Sequence, residues 1–464
     1  MSHSTQRLRG ASGSRPAAAL SWLALAIGEG LTGVLLHAAT PGVWRVSTQD
    51  ELFRGEVETL AVDASGRLTL GRQTDELLDT TAPVAWSLAP AGDDALWVGT
   101  GSDARLYLID GDVGREVYDA EGLDIYGLAS APDGDAYVAT SPDGRIERVS
   151  ADGTITSIFD PGATYIWALA VDPAGTLFAA TGEPARVYRI PAVGEAEVLF
   201  ESQATHVLAL TVAPDGQLLV GTESPGQGLR VSPDGDAFVL LDTSYDEVRS
   251  VRVAPDGSVI AVALSGSGAT FASSSSGGST SSTTVIATGS LTTSVSTSVS
   301  ASTSGAGATG SSSGASSGEP RSGAVYRIET DGLWERIWRS NADVPYDAVR
   351  TDEGRLIIGT GPNGKIYEVL GNPPRVVLLG QAPAQQVTAW LVGATGGLRY
   401  ATANPGKVLS LDDALAPRGV YRSEVRDAAV VSRWGTIRWQ AAAPGGSRVE
   451  VSTRSGNTAV PSEE

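Results

Sequence analysis

"YIWALAVDPAGTLFAATGEPARVYRI" (Tyr165–Ile190) recurs in altered form along most of the chain. Its nearest relatives are "DIYGLASAPDGDAYVATSPDGRIERV" from Asp124 and "HVLALTVAPDGQLLVGTESPGQGLRV" from His206. Further copies begin at Val84, Glu247, Val344 and Gln386, so successive starts lie 40, 41, 41, 41, 97 and 42 residues apart. Ten residues after the starts stands a turn glycine (Gly134, Gly175, Gly216, Gly257, Gly354, Gly396), with Asp94 the exception. Six residues further comes a threonine (Thr100, Thr140, Thr181, Thr222, Thr360, Thr402), replaced once, by Ala263. Seven copies in phase define the architecture before any motif is sought.

Each copy reads as four short strands. An alternating apolar run such as "YIWALAV" is reversed by a Pro-Asp-Gly-type turn into "TLFAAT". A second turn, as in "SPDGR" or "GPNGK", leads into "RVYRI", and a third into a segment such as "ITSIFD". Helical periodicity is absent. Four strands per roughly 40 residues, repeated, is the signature of a β-propeller blade. A linear solenoid is the rival, but ring closure removes the open sheet edges that a stack would leave. The expected fold is therefore all-β, a seven-bladed β-propeller over 56–425, with eight blades open if the terminal strands complete another. "EVETLAVDASGRLTLG" (Glu56–Gly71) and the following "DELLDTTA" are expected to help close the ring.

The interval of 97 has a local cause. The threonine position and the third strand are six residues apart in most copies, but Ala263 and Val325 are 62 apart, an excess of 56. The excess is the Ser/Thr/Gly/Ala tract at about 265–322, which is expected to be a disordered insertion inside the turn of blade five. Loop-closure entropy grows slowly with length, so deleting 267–322 is expected to leave the propeller folded.

Arg7, Arg9 and Arg15 precede the apolar run "AAALSWLALAI" (Ala17–Ile27), and "LLHAAT" then ends in small residues. That order resembles a secretory signal peptide over 1–39, cleaved near Ala39, and implies an extracytoplasmic protein, periplasmic or secreted. Glu29 interrupts the apolar run, so no integral membrane span is expected. At the other end, "RWGTIRWQAAAPGGSRVEVSTRSGN" reads as two strands, Arg433–Gln440 and Ser447–Arg454, within a short β extension over 426–464, the possible start of a β-sandwich domain.

With 33 Lys plus Arg against 53 Asp plus Glu, the formal charge is −20, and no basic patch interrupts it, so nucleic acid is excluded as a partner. The absence of cysteine excludes disulfides, thiolate metal sites and cysteine nucleophiles.

The pattern "APDGQLLVGTESPGQGLRV" resembles the blades of NHL-type, SMP-30-like and sensor-type bacterial propellers, over roughly Val84 to Val420 without the Ser-rich tract. The Gly-His and Trp-Asp signatures of WD40 blades are missing, as are the Asn-His-Leu positions of NHL repeats. Such propellers include binding modules, sensors, lactonases and lyases, so the resemblance implies the fold and assigns no activity.

In a propeller the first strand of each blade lines the central channel. Its first position forms a ring at one mouth: Val84, Asp124, Tyr165, His206, Glu247, Val344 and Gln386. The third position adds Trp86, Tyr126, Trp167, Leu208, Arg249, Tyr346 and Thr388. Asp124, Tyr165, His206, Glu247, Gln386, Trp86, Trp167 and Arg249 are the candidate ligand-binding residues, because aromatic walls with a few convergent polar groups suit a ligand. Polar residues at strand starts also cap turns, and aromatic residues also pack between blades, so a purely structural role stays open.

His206 is the one histidine beyond the export segment, so a site of several histidines is excluded. A His206–Glu247 acid–base pair would serve a lyase or lactonase mechanism. No cofactor is expected, although a divalent cation on Asp124, Glu247 and carbonyl oxygens stays open without D-x-D-x-D spacing to support it. The string Gly310–Gly314 matches G-x-S-x-G inside the Ser/Gly tract, where composition alone produces it. The expected function is a binding module for a small molecule, glycan or protein partner at the channel mouth. The alternatives are a lyase or lactonase and a pure interaction scaffold.

Overall fold

The computed structural model describes residues 42–92, 94–111, 113–142, 144–265, 322–429 and 432–456. The candidate export segment and all but the ends of the Ser-rich tract lie outside the described residues.

A helix the sequence reading did not anticipate comes first, α1 (Gln49–Phe53). Its signal is Thr48-x-x-Glu51: the Glu51 amide donates to Thr48 Oγ1 (3.3 Å) and the Thr48 amide to Glu51 Oε2 (3.0 Å). One turn is too short to carry a 3.6-residue period. Four strands follow: β1 (Glu56–Glu58), β2 (Leu60–Val62), β3 (Leu68–Leu70) and β4 (Arg72–Asp79).

The remaining described strands form antiparallel four-stranded units. The first is β5 (Val84–Pro90), β6 (Leu96–Gly101), β7 (Arg105–Asp110) and β8 (Val113–Asp119). The second is β9 (Asp124–Ser130), β10 (Ala136–Ser141), β11 (Ile146–Val149) and β12 (Ile155–Phe159). The third is β13 (Tyr165–Val171), β14 (Leu177–Gly182), β15 (Arg186–Ile190) and β16 (Glu197–Glu201). The fourth is β17 (His206–Val212), β18 (Leu218–Glu223), β19 (Gln227–Val231) and β20 (Ala237–Asp242). The fifth is β21 (Glu247–Val253), β22 (Val259–Ser265), β23 (Ser322–Ile328) and β24 (Trp334–Ser340). The sixth is β25 (Val344–Arg350), β26 (Leu356–Gly361), β27 (Lys365–Leu370) and β28 (Arg375–Gln381).

The seventh has only three strands of its own, β29 (Gln386–Val392), β30 (Leu398–Ala403) and β31 (Lys407–Leu415). Its fourth is β4, paired to β31 at Leu78↔Val408 and Asp79↔Lys407. The chain's two ends also meet at β1 and β32 (Val420–Arg422), where Val57 faces Tyr421. β2 and β3 extend the sixth unit beyond β28, through Val62↔Leu378.

Each first strand packs against the first strand of the next unit, and β29 packs against β5, closing the ring. The core is divided accordingly into clusters between successive units. Trp97, Ile125 and Val138 fill the gap between the first and second. Leu96, Val98, Ala401 and Val408 fill that between the seventh and first. Each such Val, Leu or Ile side chain contributes about 1.5–3 kcal/mol by burial, which a unit gains from its neighbours. α1 seals the sixth unit: buried Lys365 reaches the Phe53 carbonyl (3.4 Å) and Asp343 (3.4 Å), and the Tyr367 hydroxyl donates to the same Asp343 (2.8 Å).

The repeated residues have backbone roles. Gly175 (φ 87°) and Gly216 (φ 81°) occupy the left-handed region that closes the first turn. Beside Gly175, Asp172 Oδ1 accepts from the Ala174 and Thr176 amides. The repeat threonine pins the second turn: Thr222 Oγ1 donates to the Pro225 carbonyl (2.7 Å) and accepts from the Gln227 amide (3.2 Å). Thr181 and Thr402 do the same. In the fifth unit β22 pairs β23 from Val259↔Ile328 to Ser265↔Ser322, leaving no short turn for a threonine to pin, which accounts for Ala263. The insertion expected at about 265–322 lies, but for its ends, outside the described residues.

The C-terminal expectation is corrected. Residues 432–456 form no strand, neither at 433–440 nor at 447–454. Trp434, Trp439 and Val451 stay exposed, and two strands with nothing covering their apolar face do not hold together.

Candidate functional site

Every first strand is bulged at the same place. Its pairing with the second strand skips one residue, and the skipped residue is Trp86, Tyr126, Trp167, Leu208, Arg249, Tyr346 or Thr388. A bulge re-aims the extra side chain and increases local twist, a device common beside active sites. Here it brings the third position of one unit against the first position of the next.

The meeting point lies above the second-strand residue that pairs with the first position of its own unit, at the end of β6, β10, β14, β18, β26 and β30 and one residue before the end of β22. That residue is small in most units: Gly101, Ser141, Gly182, Gly361 and Ala403. A Cβ on Gly182 would sit 1.9 Å from His206 Nδ1 and 2.6 Å from Trp167 Nε1. On Gly361 it would sit 2.8 Å from Gln386 Cγ and 2.9 Å from the Tyr346 ring. The small residue makes room for the pair above it. The exceptions are Leu264 and Glu223.

The first three units build an aromatic wall. Trp86 lies 5.2 Å from Tyr126 and Tyr126 4.9 Å from Trp167, measured between ring centroids. Tyr165 stacks on Trp167 at 4.9 Å, and both meet His206 edge-on, at 5.8 and 5.4 Å. Trp86 Nε1 donates to Asp124 Oδ1 (2.8 Å), which also accepts from the Ser102 amide (3.2 Å) and from the Tyr126 hydroxyl. Burial raises the Asp124 carboxyl, and these donors hold it back. Burial, reinforced by Asp124, keeps the Tyr126 phenol protonated far above neutral pH.

Trp167 Nε1 donates to His206 Nδ1 (3.2 Å), which places the imidazole proton on Nε2. Burial lowers the imidazole's affinity for a second proton, with Glu183 opposing, so His206 is neutral at pH 7.

The fourth to sixth units carry the charge. In the ladders, Glu223 faces His206 on one side and Glu247 on the other. Burial first, then the Glu247 charge, push the Glu223 carboxyl up to about 7. Glu247 is buried and raised for the same first reason, with Arg249 opposing. Arg249 lies 3.5 Å from Glu247 and 5.7 Å over the Tyr346 ring. Directly opposed like charges destabilise a strand pair.

Of the candidate residues, Trp86 joins Asp124; Tyr165, Trp167 and His206 form one cluster; and Glu247 pairs with Arg249. Gln386 is buried, and it and Tyr346 both approach Gly361. No hydrogen bond joins His206 to Glu247 among the described residues, because Glu223 stands between them. Glu223 was missed. Its signal was positional: a carboxylate directly after the repeat threonine, where other copies have a small residue. Trp86, Tyr126, His206, Glu223 and Arg249 each keep part of their surface open to solvent. The small clefts lined by Arg72 and Leu411, and by Pro90 and Arg399, lie outside this cluster. Among the described residues no group of three or more acidic or histidine side chains is gathered for a metal ion. No helix among them is long and apolar enough to cross a membrane.

No family model matches the sequence, and no curated protein is detectably similar to it. Solved structures are similar in fold. A streptogramin B lyase superposes with a TM-score of 0.53 at 12% identity, over 74% of this chain and 98% of its own. The fold is a β-propeller. A virginiamycin B lyase from Staphylococcus aureus gives the same TM-score at 13% identity, over 73% of this propeller and 98% of the lyase. The extracellular domain of a two component system from B. thetaiotaomicron also gives 0.53, at 12% identity, over 74% of the propeller and 40% of that longer chain. At such identity the likeness carries the fold alone, and the propeller's activity has to be argued from its own mouth.

Proposed function

We propose that the chain is an exported, seven-bladed propeller that binds a small molecule, glycan or peptide at the mouth ringed by the bulged residues. One observation carries this reading. Glu223 faces Glu247 in a ladder position that the other units fill with Gly, Ser, Ala or Leu, so the fold tolerates a like-charge pair it does not need. The adjoining aromatic wall supplies apolar contact area with few rotatable bonds, and the carboxylates supply orientation. Export is supported by the basic, apolar and small-residue order of 1–39.

The test is a thermal-shift screen of small molecules, glycans and peptides on the wild type and on Trp86→Ala and Trp167→Ala. Ligands that stabilise the wild type and fail on both variants support the mouth. Ligands that stabilise all three equally place binding elsewhere and overturn the reading.

A second reading, an enzyme of lyase or lactonase type, rests on a carboxyl near 7 beside a neutral imidazole, a pairing suited to proton transfer. In that case Glu223, rather than Glu247, partners His206. Turnover abolished by both His206→Gln and Glu223→Gln, with ligand binding retained, would favour it.

A further inference from the structure

The mouth is asymmetric in charge, and that asymmetry narrows what it can hold. We infer that the ligand carries a protonated amine or a guanidinium on a flat, apolar body, with the cation at Glu223 and Glu247 and the body on the wall of Tyr165, Trp167 and Tyr126. The inference rests on the mouth being the binding site and goes further by naming the ligand's chemistry.

Three observations support it. First, the charges do not cancel. Asp124, Glu223 and Glu247 stand at the paired strand ends of the first, second, fourth and fifth units, and among the described residues Arg249 is the single basic side chain acting on them. His206 is neutral, and the further neighbours that act on these groups, Glu183, Asp246 and Asp103, are acidic. Second, the fold satisfies two of the three carboxylates and leaves one. Asp124 accepts from Trp86, Ser102 and Tyr126, and Glu247 is paired with Arg249. Glu223, half-buried beside another acid, makes no side-chain hydrogen bond or close ion pair among the described residues, and Arg249 offsets its charge only from beyond ion-pair distance. Third, the imidazole paired with the open carboxylate in the ladder belongs to the aromatic cluster. His206, next to Glu223 in the ladder, meets both Tyr165 and Trp167. A cation there gains a charge-assisted hydrogen bond and the attraction of nearby ring faces.

Alternatives fit less well. An anion would meet uncompensated carboxylates, with Arg249 already engaged by Glu247 and lying over Tyr346. A calcium ion asks for six or more oxygen ligands, and two carboxylates beside an imidazole and aromatic rings do not supply them.

Three probes of one shape separate the cases: tyramine, its neutral alcohol tyrosol, and para-hydroxyphenylacetate. Each is titrated by tryptophan fluorescence, with the mouth signal assigned by difference against Trp86→Phe and Trp167→Phe. Tyramine should bind at least tenfold more tightly than tyrosol, on the order expected for a desolvated charge-assisted contact. Glu223→Gln should reduce that preference below about threefold while leaving tyrosol unchanged. Glu223→Gln relieves a repulsion and is expected to fold. Equal or tighter binding of tyrosol or of the carboxylate would overturn the cation but leave a mouth site standing. So would a preference that survives Glu223→Gln, or a calcium ion alone producing the signal. If none of the probes binds, the cation reading fails by itself, and the thermal-shift screen with Trp86→Ala and Trp167→Ala decides the mouth separately.

Discussion

Substituting Glu223 by Gln probes the electrostatics of the mouth with no ligand present. In the folded chain the carboxyl titrates near 7, against an ordinary 4.5, because burial and then the Glu247 charge disfavour its ionised form. Between those values the folded state keeps a proton that the unfolded chain has already released. Stability is therefore fully present below about 4.5 and falls as pH rises through 7. Unscreened, the difference amounts to roughly 3 kcal/mol. Part of the carboxylate faces solvent, so screening reduces it to about 1–2 kcal/mol.

Glu223→Gln keeps the shape and removes the titration. Its stability should match the wild type at pH 4 and exceed it at pH 8 by about 1–2 kcal/mol, a rise of about 2 °C in melting midpoint for a ring of this size. Urea and thermal melts at fixed ionic strength across that interval are the assay. Glu247→Gln is a poorer probe, since it also breaks the pair with Arg249. Parallel pH profiles for the two proteins would refute the reasoning. A Gln variant less stable at pH 8 would refute it more sharply, because Arg249 would then be stabilising the Glu223 charge rather than merely offsetting it.

Gly182→Ala should cost about 1–3 kcal/mol and perturb tryptophan fluorescence, since its Cβ would land 1.9 Å from His206 Nδ1. Gly380→Ala, where nothing lies within 4 Å, should be near neutral in the same melts. Asp347 is buried and receives Arg252 through two nitrogens (2.9 and 2.6 Å), Ser250 Oγ (2.7 Å) and the Trp390 amide (2.8 Å). Asp347→Ala should therefore cost about 2–3 kcal/mol, moderated by the solvent exposure of Arg252, and Asp347→Leu with Arg252→Met should recover most of it in denaturant titrations. Thr222→Ala should cost about 1–2 kcal/mol by freeing the Gln227 amide and Pro225 carbonyl. Ala263→Thr, in the unit whose hairpin runs on, should gain nothing in the same measurement.

The ring was legible because its repeated residues answer to backbone geometry. The turn glycine supplies a left-handed φ, and the threonine supplies a donor and an acceptor to one turn, so both recur in phase whatever a unit does. The bulged third position was singled out as well, because the bulge falls at a constant offset in every copy. What escaped had no period to show. α1 is one turn long, and the C-terminal alternation of apolar residues described strands that lack a covering layer.

Glu223 escaped for another reason. Candidate residues were sought within the first strand, whereas the mouth is shared with the end of the second. In a repeat each unit faces nearly the same packing problem, so the residue most units use is the one that folding requires. A departure from it carries information, but of two kinds. Asp347 stands where other units have Ser, Gly or Ala, and Arg252 where they have Ala, Thr, Val or Leu. Those two compensate each other across adjacent units through paired hydrogen bonds, so the fold itself accounts for both. Glu223 departs in the same way, yet Arg249, the one basic side chain acting on it among the described residues, is already paired with Glu247. A departure matched by another belongs to the scaffold, while one left without a close partner, half-buried and beside a second acid, calls for a partner from outside the chain.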